Sequence, residues 1–173
     1  MTAYDRETRF TELAHAVGPH LRRYVLRRAG AGVVDDVLAD TMLVLWRRLD
    51  DVPADDPLPW CYAVARGCLA NAQRSGRRQQ RLVDKLAAAP VDPPAGDDAP
   101  LHDALAKLPE TDRELVRLWA WEQLQPVEIA VVLGISANAV SIRLHRARGK
   151  FVEELRKIDG GAGHEGLREG RET

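Results

Sequence analysis

The chain has 173 residues, room for one medium domain or two small ones, and 45% of them are hydrophobic, enough for real cores. Twenty-five basic against 26 acidic side chains leave a net charge of −1, so there is no global attraction to nucleic acid, which counts against a general nucleic-acid coat protein and leaves a sequence reader open. Any affinity for DNA must come from local basic patches. The first residues, MTAYDRETRF, hold no apolar signal core, and no window approaches the ~18 apolar residues of a membrane span, so an intracellular, soluble, cytoplasmic protein without membrane insertion is expected.

Residues 6–29 read as a helix, with Phe10, Leu13, Val17, Leu21, Tyr24 and Val25 among its apolar positions. Gly18-Pro19 predicts a break or kink. The segment ends in a basic set, Arg22, Arg23, Arg27 and Arg28, before the loop Ala29-Gly30-Ala31-Gly32. A second helix is predicted from Val33 to Leu49, with Leu38, Met42, Leu45 and Leu49 as its inner stripe, widened by Val37, Thr41 and Trp46. Asp35 and Asp36 in the first turn and Arg47 and Arg48 in the last both suit the helix dipole. Asp36 and Asp40 form an i,i+4 carboxylate pair. With no histidine or third carboxylate beside it, a solvated acidic face is expected rather than a metal or acid–base site, and a docking surface for a basic partner is the third option.

Asp50–Pro59 is a loop carrying four aspartates and three prolines. The helix after it, from Trp60 to Arg74, places Trp60, Val64, Cys68 and Ala72 on one side, with Cys61, Ala65 and Leu69 adjoining. Arg66, Arg74, Arg77, Arg78 and Arg81 follow with no acid among them. Arginines beside Trp60 and Tyr62 suit single-stranded or melted nucleic acid, where aromatics stack on bases and arginines hold the backbone. For Trp60 alone a core position is the simpler expectation. Cys61 and Cys68, seven apart, have no CxxC spacing and no histidine cluster, and are expected to be small buried hydrophobes. Leu82–Leu86 could extend the helix briefly. Residues 82–100, rich in Ala, Pro, Gly and Asp, read as a linker.

Leu101–Leu108 is a short helix ended by Pro109. Thr111 and Glu114 form a T-x-x-E capping box for a helix running to about Leu124, with Leu115, Leu118, Trp119 and Glu122 along one side. From Gln125 to Phe151 two helical patterns meet at Leu133-Gly134-Ile135-Ser136. The first offers Val127, Ala130 and Leu133 to the core, with Ile129 also available. Gly134 suits a turn of positive φ, and Ser136 an N-cap. The second turns Val140, Leu144, Ala147 and Phe151 inward, leaving Asn138, Ser141, Ile142 and His145 outward, flanked by Arg143, Arg146, Arg148 and Lys150. No carboxylate interrupts Ser136–Lys150. This is a helix-turn-helix whose second helix carries side chains suited to base edges and phosphates, and Ile142 could touch a thymine methyl. Beyond residue 158 the glycine-rich, charged sequence is expected to be a disordered tail. The fold class expected is all-α: two small helical domains, residues 1–81 and 101–158, on a flexible linker.

Four blocks in this order resemble the extracytoplasmic-function (ECF) sigma factors, small sigma-70-type RNA polymerase subunits, over about residues 10–158. VVDDVLADTMLVLWRR (33–48) is similar to the family's D-D-x-x-x-[ED]-T-x-x-x-x-W-R helix. LPWCYAVARGCLANAQRSGRR (58–78) is similar to its W-x-Y-x-[VI]-A-R-x-x-x-x-[ND] helix. LPETDRELVRLWAWE (108–122) is similar to its L-P-x-x-x-R-E-[VL] segment, and the helix-turn-helix follows. Departures are Ala39 and Met42 where Gln and Phe are frequent, Gln125 and Pro126 where Ser and an aromatic residue are frequent, and Ser141 where a basic residue is frequent.

The resemblance implies that the N-terminal part (sigma domain 2) binds the clamp helices of the polymerase's largest subunit through Asp35, Asp36 and Asp40, with Leu45 and Trp46 supporting that helix. It implies that the loop 50–59 and the next helix meet the melted −10 element, through Trp60, Asn71, Arg74, Arg77 and Arg78. The C-terminal part (sigma domain 4) would read the −35 duplex through Asn138, Ser141, Ile142, Arg143, His145 and Arg146, and hold the flap of the second-largest subunit. An anti-sigma factor is a partner many relatives have. No cofactor, metal or catalytic group is implied: no nucleophile–base pattern, phosphate loop or ligand cluster is present. The main rival is a stand-alone helix-turn-helix regulator, which leaves the acidic helix and the arginine-rich helix unexplained.

Overall fold

The computed structural model describes the backbone of residues 3–83 and 99–162 and the side chains of residues 4–76 and 99–158. Seven α-helices and two 3₁₀ turns are formed there, with no strand among the described residues. The chain divides into two compact units, one built on the first three helices and one built mainly on the last four, with residues 131–134 not grouped in the second.

In the first unit, α1 (Ala3–Leu26) runs unbroken through Pro19. An internal proline costs roughly 3 kcal/mol. Val17, Leu21, Tyr24 and Val25 are buried around it, each contributing about 1.5–3 kcal/mol, and that outweighs the expected break. A 3₁₀ turn (Ala31–Val33) leads into α2 (Val34–Arg47), and a second one (Leu49–Asp51) leads out. The face of α2 turned to the core is Val34, Val37, Thr41 and Leu45. It is rotated from the expected stripe: Leu38 and Met42 are only half-buried. Thr41 fits there because its hydroxyl donates to the Val37 carbonyl at 2.6 Å, so no polar group is left unpaired.

Helix α3 (Leu58–Val83) begins at Leu58 and continues well past Arg74. Besides Pro59, its buried positions are Cys61, Tyr62, Ala65, Cys68 and Leu69, so the line expected to adjoin the core is the core itself. Tyr24 of α1 and Tyr62 of α3 stack at 5.1 Å between ring centroids. Both cysteines are free and buried, and burial pushes the Cys61 thiol up to about 12. At the other end, Arg6 bonds the Trp46 carbonyl (2.8 Å) and Asp50 (2.9 Å), while Phe10 packs edge-on against the Trp46 ring at 5.2 Å.

In the second unit, α4 (Ala99–Ala106) is followed by α5 (Glu110–Ala120), α6 (Pro126–Leu133) and α7 (Ala137–Ala162). Leu105, Leu108, Val116 and Ala147 form a core cluster against which Trp121 and Phe151 pack. The expected capping box is not formed. Pro109 is the N-cap of α5, without a side-chain bond, and Thr111 already lies within the helix. Arg113 is the organising residue instead. Its guanidinium donates to the carbonyls of Leu105 (2.9 Å), Ala106 (3.0 Å) and Leu108 (3.0 Å), capping the end of α4. Helix α5 stops earlier than expected, at Ala120. Gln123 takes φ +56°, and the Leu124 amide reaches back to the Leu118 carbonyl at 3.1 Å. Val116 takes the inner place expected for Trp119, which is 37% exposed.

Helix α7 extends to Ala162, beyond the expected start of the tail. Most of the expected linker (84–98) and of the tail (163–173) lies outside the described residues. No single helix among the described residues is long and apolar enough to cross a membrane.

Candidate nucleic-acid and polymerase interfaces

The helix-turn-helix is α6, the turn at Gly134 and the first half of α7. Glu128 reaches back to the Gln125 amide, which closes the first turn of α6 after the donor-free Pro126. The buried residues of α6 are Ile129, expected to be available to the core, and Val132; Ala130 and Leu133 are half-buried, and Val127, expected inside, is exposed. Gly134 adopts φ +67°, the left-handed conformation the turn requires and a β-carbon would strain. Ser136 caps α7: its hydroxyl accepts the Ala139 amide at 3.2 Å.

On α7 the expected division holds. Val140, Leu144 and Ala147 are buried and Phe151 is half-buried. Asn138, Ser141, Ile142, Arg143, His145 and Arg146 are all exposed on the outer side. Ser141, Ile142, His145 and Arg146 line one open depression. The four flanking cations are not equivalent. Arg148 stacks its guanidinium on Trp119 of α5 at 4.0 Å, and Lys150 bonds Asp112 of α5 at 2.8 Å. These two hold α7 against α5, while Arg143 and Arg146 project from it. Trp119 and Asp112 are positioning residues that sequence reading missed; a 3.6-residue pattern on α5 cannot say which residue of α7 it will meet.

In the first unit, Asp35, Asp36 and Asp40 are exposed along α2. Asp35 pairs with Arg22 of α1 at 2.8 Å, an exposed bridge of little energetic weight. Asp40 lies near enough to Cys68 to help raise its thiol, after burial and against a hydrogen bond with Thr41. Leu45 is fully buried and Trp46 is half-buried beneath Arg6, so both support α2 from within. Among the described residues no group of three or more His, Cys, Asp or Glu is placed to hold a metal.

Trp60 is not a core residue. It is half-buried, has the Arg48 guanidinium 5.1 Å from its ring centre, and lines an open groove with Val44, Arg48, Ala63, Val64, Gly67, Cys68 and Asn71. Tyr62, expected beside it as a second stacking aromatic, is buried against Tyr24 and unavailable to a base. Asn71 and Arg74 are exposed and hydrogen-bonded to each other. Arg77 and Arg78 lie on α3, with side chains outside the described residues. In the loop before α3, Asp50 is tied to Arg6 and Arg9 and Asp51 to Arg48, which neutralises part of its acidity.

Two helical units, one ending in a capped helix-turn-helix with an acid-free outer face, define a DNA-binding protein of the sigma-70 type. Residues 98–151 match the family model Sigma-70, region 4. The ECF RNA polymerase sigma factor SigF of Caulobacter vibrioides is 36% identical over 152 residues, covering 83% of this chain and 84% of SigF. The solved structure of CnrH in complex with the cytosolic domain of CnrY is 27% identical, with a TM-score of 0.61 over 86% of this chain and 88% of CnrH. The sigma factor RpoE of Bartonella quintana, solved with the anti-sigma factor NepR, shares the fold at 21% identity and a TM-score of 0.66, over 85% of this chain and 96% of RpoE. The chain belongs to the ECF sigma factors of the sigma-70 family. It is accordingly an alternative sigma subunit that binds core RNA polymerase and promoter DNA in transcription initiation.

Proposed function

We propose that the two units divide the work of promoter recognition. The first docks on the clamp helices of the largest polymerase subunit through Asp35, Asp36 and Asp40, with Leu45 and Trp46 fixing the helix that presents them. Its −10 contacts are Trp60, Asn71, Arg74, Arg77 and Arg78. The second reads the −35 duplex through Asn138, Ser141, Ile142, Arg143, His145 and Arg146 and meets the flap of the second-largest subunit. The chain then acts in the cytoplasm, beside the polymerase, as a binding subunit and not as an enzyme. RpoE and CnrH were solved with NepR and CnrY, which supports an anti-sigma partner for this chain too.

The observation that carries the reading is α7: six candidate base- and phosphate-contacting residues are exposed on one side while Val140, Leu144 and Ala147 are buried on the other. Duplex reading by one monomeric helix-turn-helix gives limited affinity. Tethering it to a second DNA contact, and both to polymerase, supplies effective concentration instead. Run-off transcription with purified core polymerase tests this. Promoter-specific transcripts require the chain, and reversing Asp36 and Asp40 to Lys abolishes them by weakening polymerase binding. Tight binding of the isolated chain to duplex promoter at physiological salt, with no effect of the Asp reversals on transcription, refutes the division.

A further inference from the structure

We propose that Ile142 reads the C5-methyl group of one thymine in the duplex promoter element, with Ser141 beside it accepting a base amino proton. The inference rests on assigning the outer face of α7 to duplex DNA and adds which base that face selects.

Ile142 is 47% exposed on α7. It lies two residues from both Val140 and Leu144, about 200° around a helix of 3.6 residues per turn, so it points away from the core. Packing within the unit leaves nearly half of this β-branched apolar side chain exposed. Its surroundings explain it: Ser141, Ile142, His145 and Arg146 line a single open depression, on a helix with no carboxylate from Ser136 to Lys150. A major-groove surface that is basic and acid-free around an apolar centre complements a phosphate-flanked thymine methyl, the one apolar group that base edges expose there.

Ser141 narrows the choice further. Its hydroxyl donates to the Ala137 carbonyl at 3.0 Å, so its proton is committed within the helix and only lone pairs face outward. In that arrangement it accepts from an adenine N6 or a cytosine N4 amino group rather than donating to guanine or to the thymine O4. Apolar surface next to an acceptor fits a thymine–adenine pair, the methyl against Ile142 and the adenine amino group on Ser141.

The test uses holoenzyme, assembled from core polymerase and the full chain, on a duplex promoter fragment obtained by genomic mapping of bound polymerase. Each thymine of the upstream duplex element is replaced singly by deoxyuridine, which removes only the methyl group. At one position binding should weaken about three- to fivefold, the value of one buried methyl. With Ile142→Ala the same replacement should change binding by less than about 1.5-fold, and Ile142→Val should restore much of the sensitivity. If no thymine is sensitive, or if the sensitivity persists in Ile142→Ala, the inference is wrong. An Arg143→Ala, Arg146→Ala double variant separates the two levels. If it binds the fragment as the wild type does, the DNA assignment of α7 fails and Ile142 falls with it. If it loses binding while deoxyuridine has no effect at any position, only the Ile142 inference fails.

Discussion

Arg113 is the residue whose loss the second unit should feel most among its charged side chains. Its guanidinium bonds the carbonyls of Leu105, Ala106 and Leu108 at 2.9, 3.0 and 3.0 Å. Two of these bonds are partly buried and the one to Ala106 is exposed. Water replaces the exposed bond at little cost. The other two, made by a charged donor, are each worth roughly 1.5 kcal/mol or more when their acceptors lose them. Arg113→Ala should therefore destabilise the unit by about 3 kcal/mol. A unit of this size has a total stability of a few to about 10 kcal/mol, so its melting temperature should fall by roughly 12–24 °C. Arg113→Lys keeps the charge but puts all its donors on one nitrogen, where the guanidinium reaches Leu105 from Nε and Ala106 and Leu108 from Nη2, and should recover less than half of the loss. Hydrogen exchange followed by peptide can read each unit separately. Protection should fall in α4, α5 and α7 and stay unchanged in α1–α3. If Arg113→Lys matches the wild type, or if the loss is below about 0.5 kcal/mol, the capping role is refuted.

Other outcomes follow from the same geometry. Arg143→Ala should lower the slope of log K against log salt for holoenzyme on duplex promoter by about 0.9, the value of one phosphate contact; Lys150→Ala, whose ammonium is held by Asp112 at 2.8 Å, should lower it by clearly less. Equal slopes for the two variants would show that the ion pair opens on binding. Leu45→Ala should cost roughly 2–5 kcal/mol in urea denaturation, because Leu45 is fully buried, and should impair polymerase binding only through loss of fold. Burial holds the Cys61 thiol protonated up to about 12 against an ordinary value of 9.0, so stability should be level below pH 9 and fall from there towards 12, as the unfolded chain alone ionises. The difference in urea midpoint between wild type and Cys61→Ala, followed with pH, isolates that contribution; a constant difference across the range contradicts it.

The helices of both units were legible in the sequence, and so was the division of α7 into faces. Val140, Leu144 and Ala147 recur at helical spacing among residues that are nearly all polar or charged, so periodicity alone decides which side is buried. Ser136 and Gly134 were equally readable, because capping and positive φ are local chemistry. Helix α6 was not. Six of its eight residues, Val127, Ile129, Ala130, Val131, Val132 and Leu133, are apolar, so the pattern carries no phase, and only packing chose Ile129 and Val132 as the inner pair. The same limit explains α2 and α3. Each has apolar residues on more than half of its circumference, and packing turned Thr41 and Tyr62 inward.

The sequence by itself determined what depends on neighbours along the chain: helix positions, the turn and cap of the helix-turn-helix, the acid-free run, and the order of motifs that marks the family. Only the tertiary structure decided what depends on residues far apart. It placed Arg113 over the end of α4, stacked Arg148 on Trp119, buried Tyr62 and left Trp60 at an open groove. It also carried α1 through Pro19. The physical reason is that a helix's local energy is nearly indifferent to its rotation about its own axis, while burial against a neighbour is not.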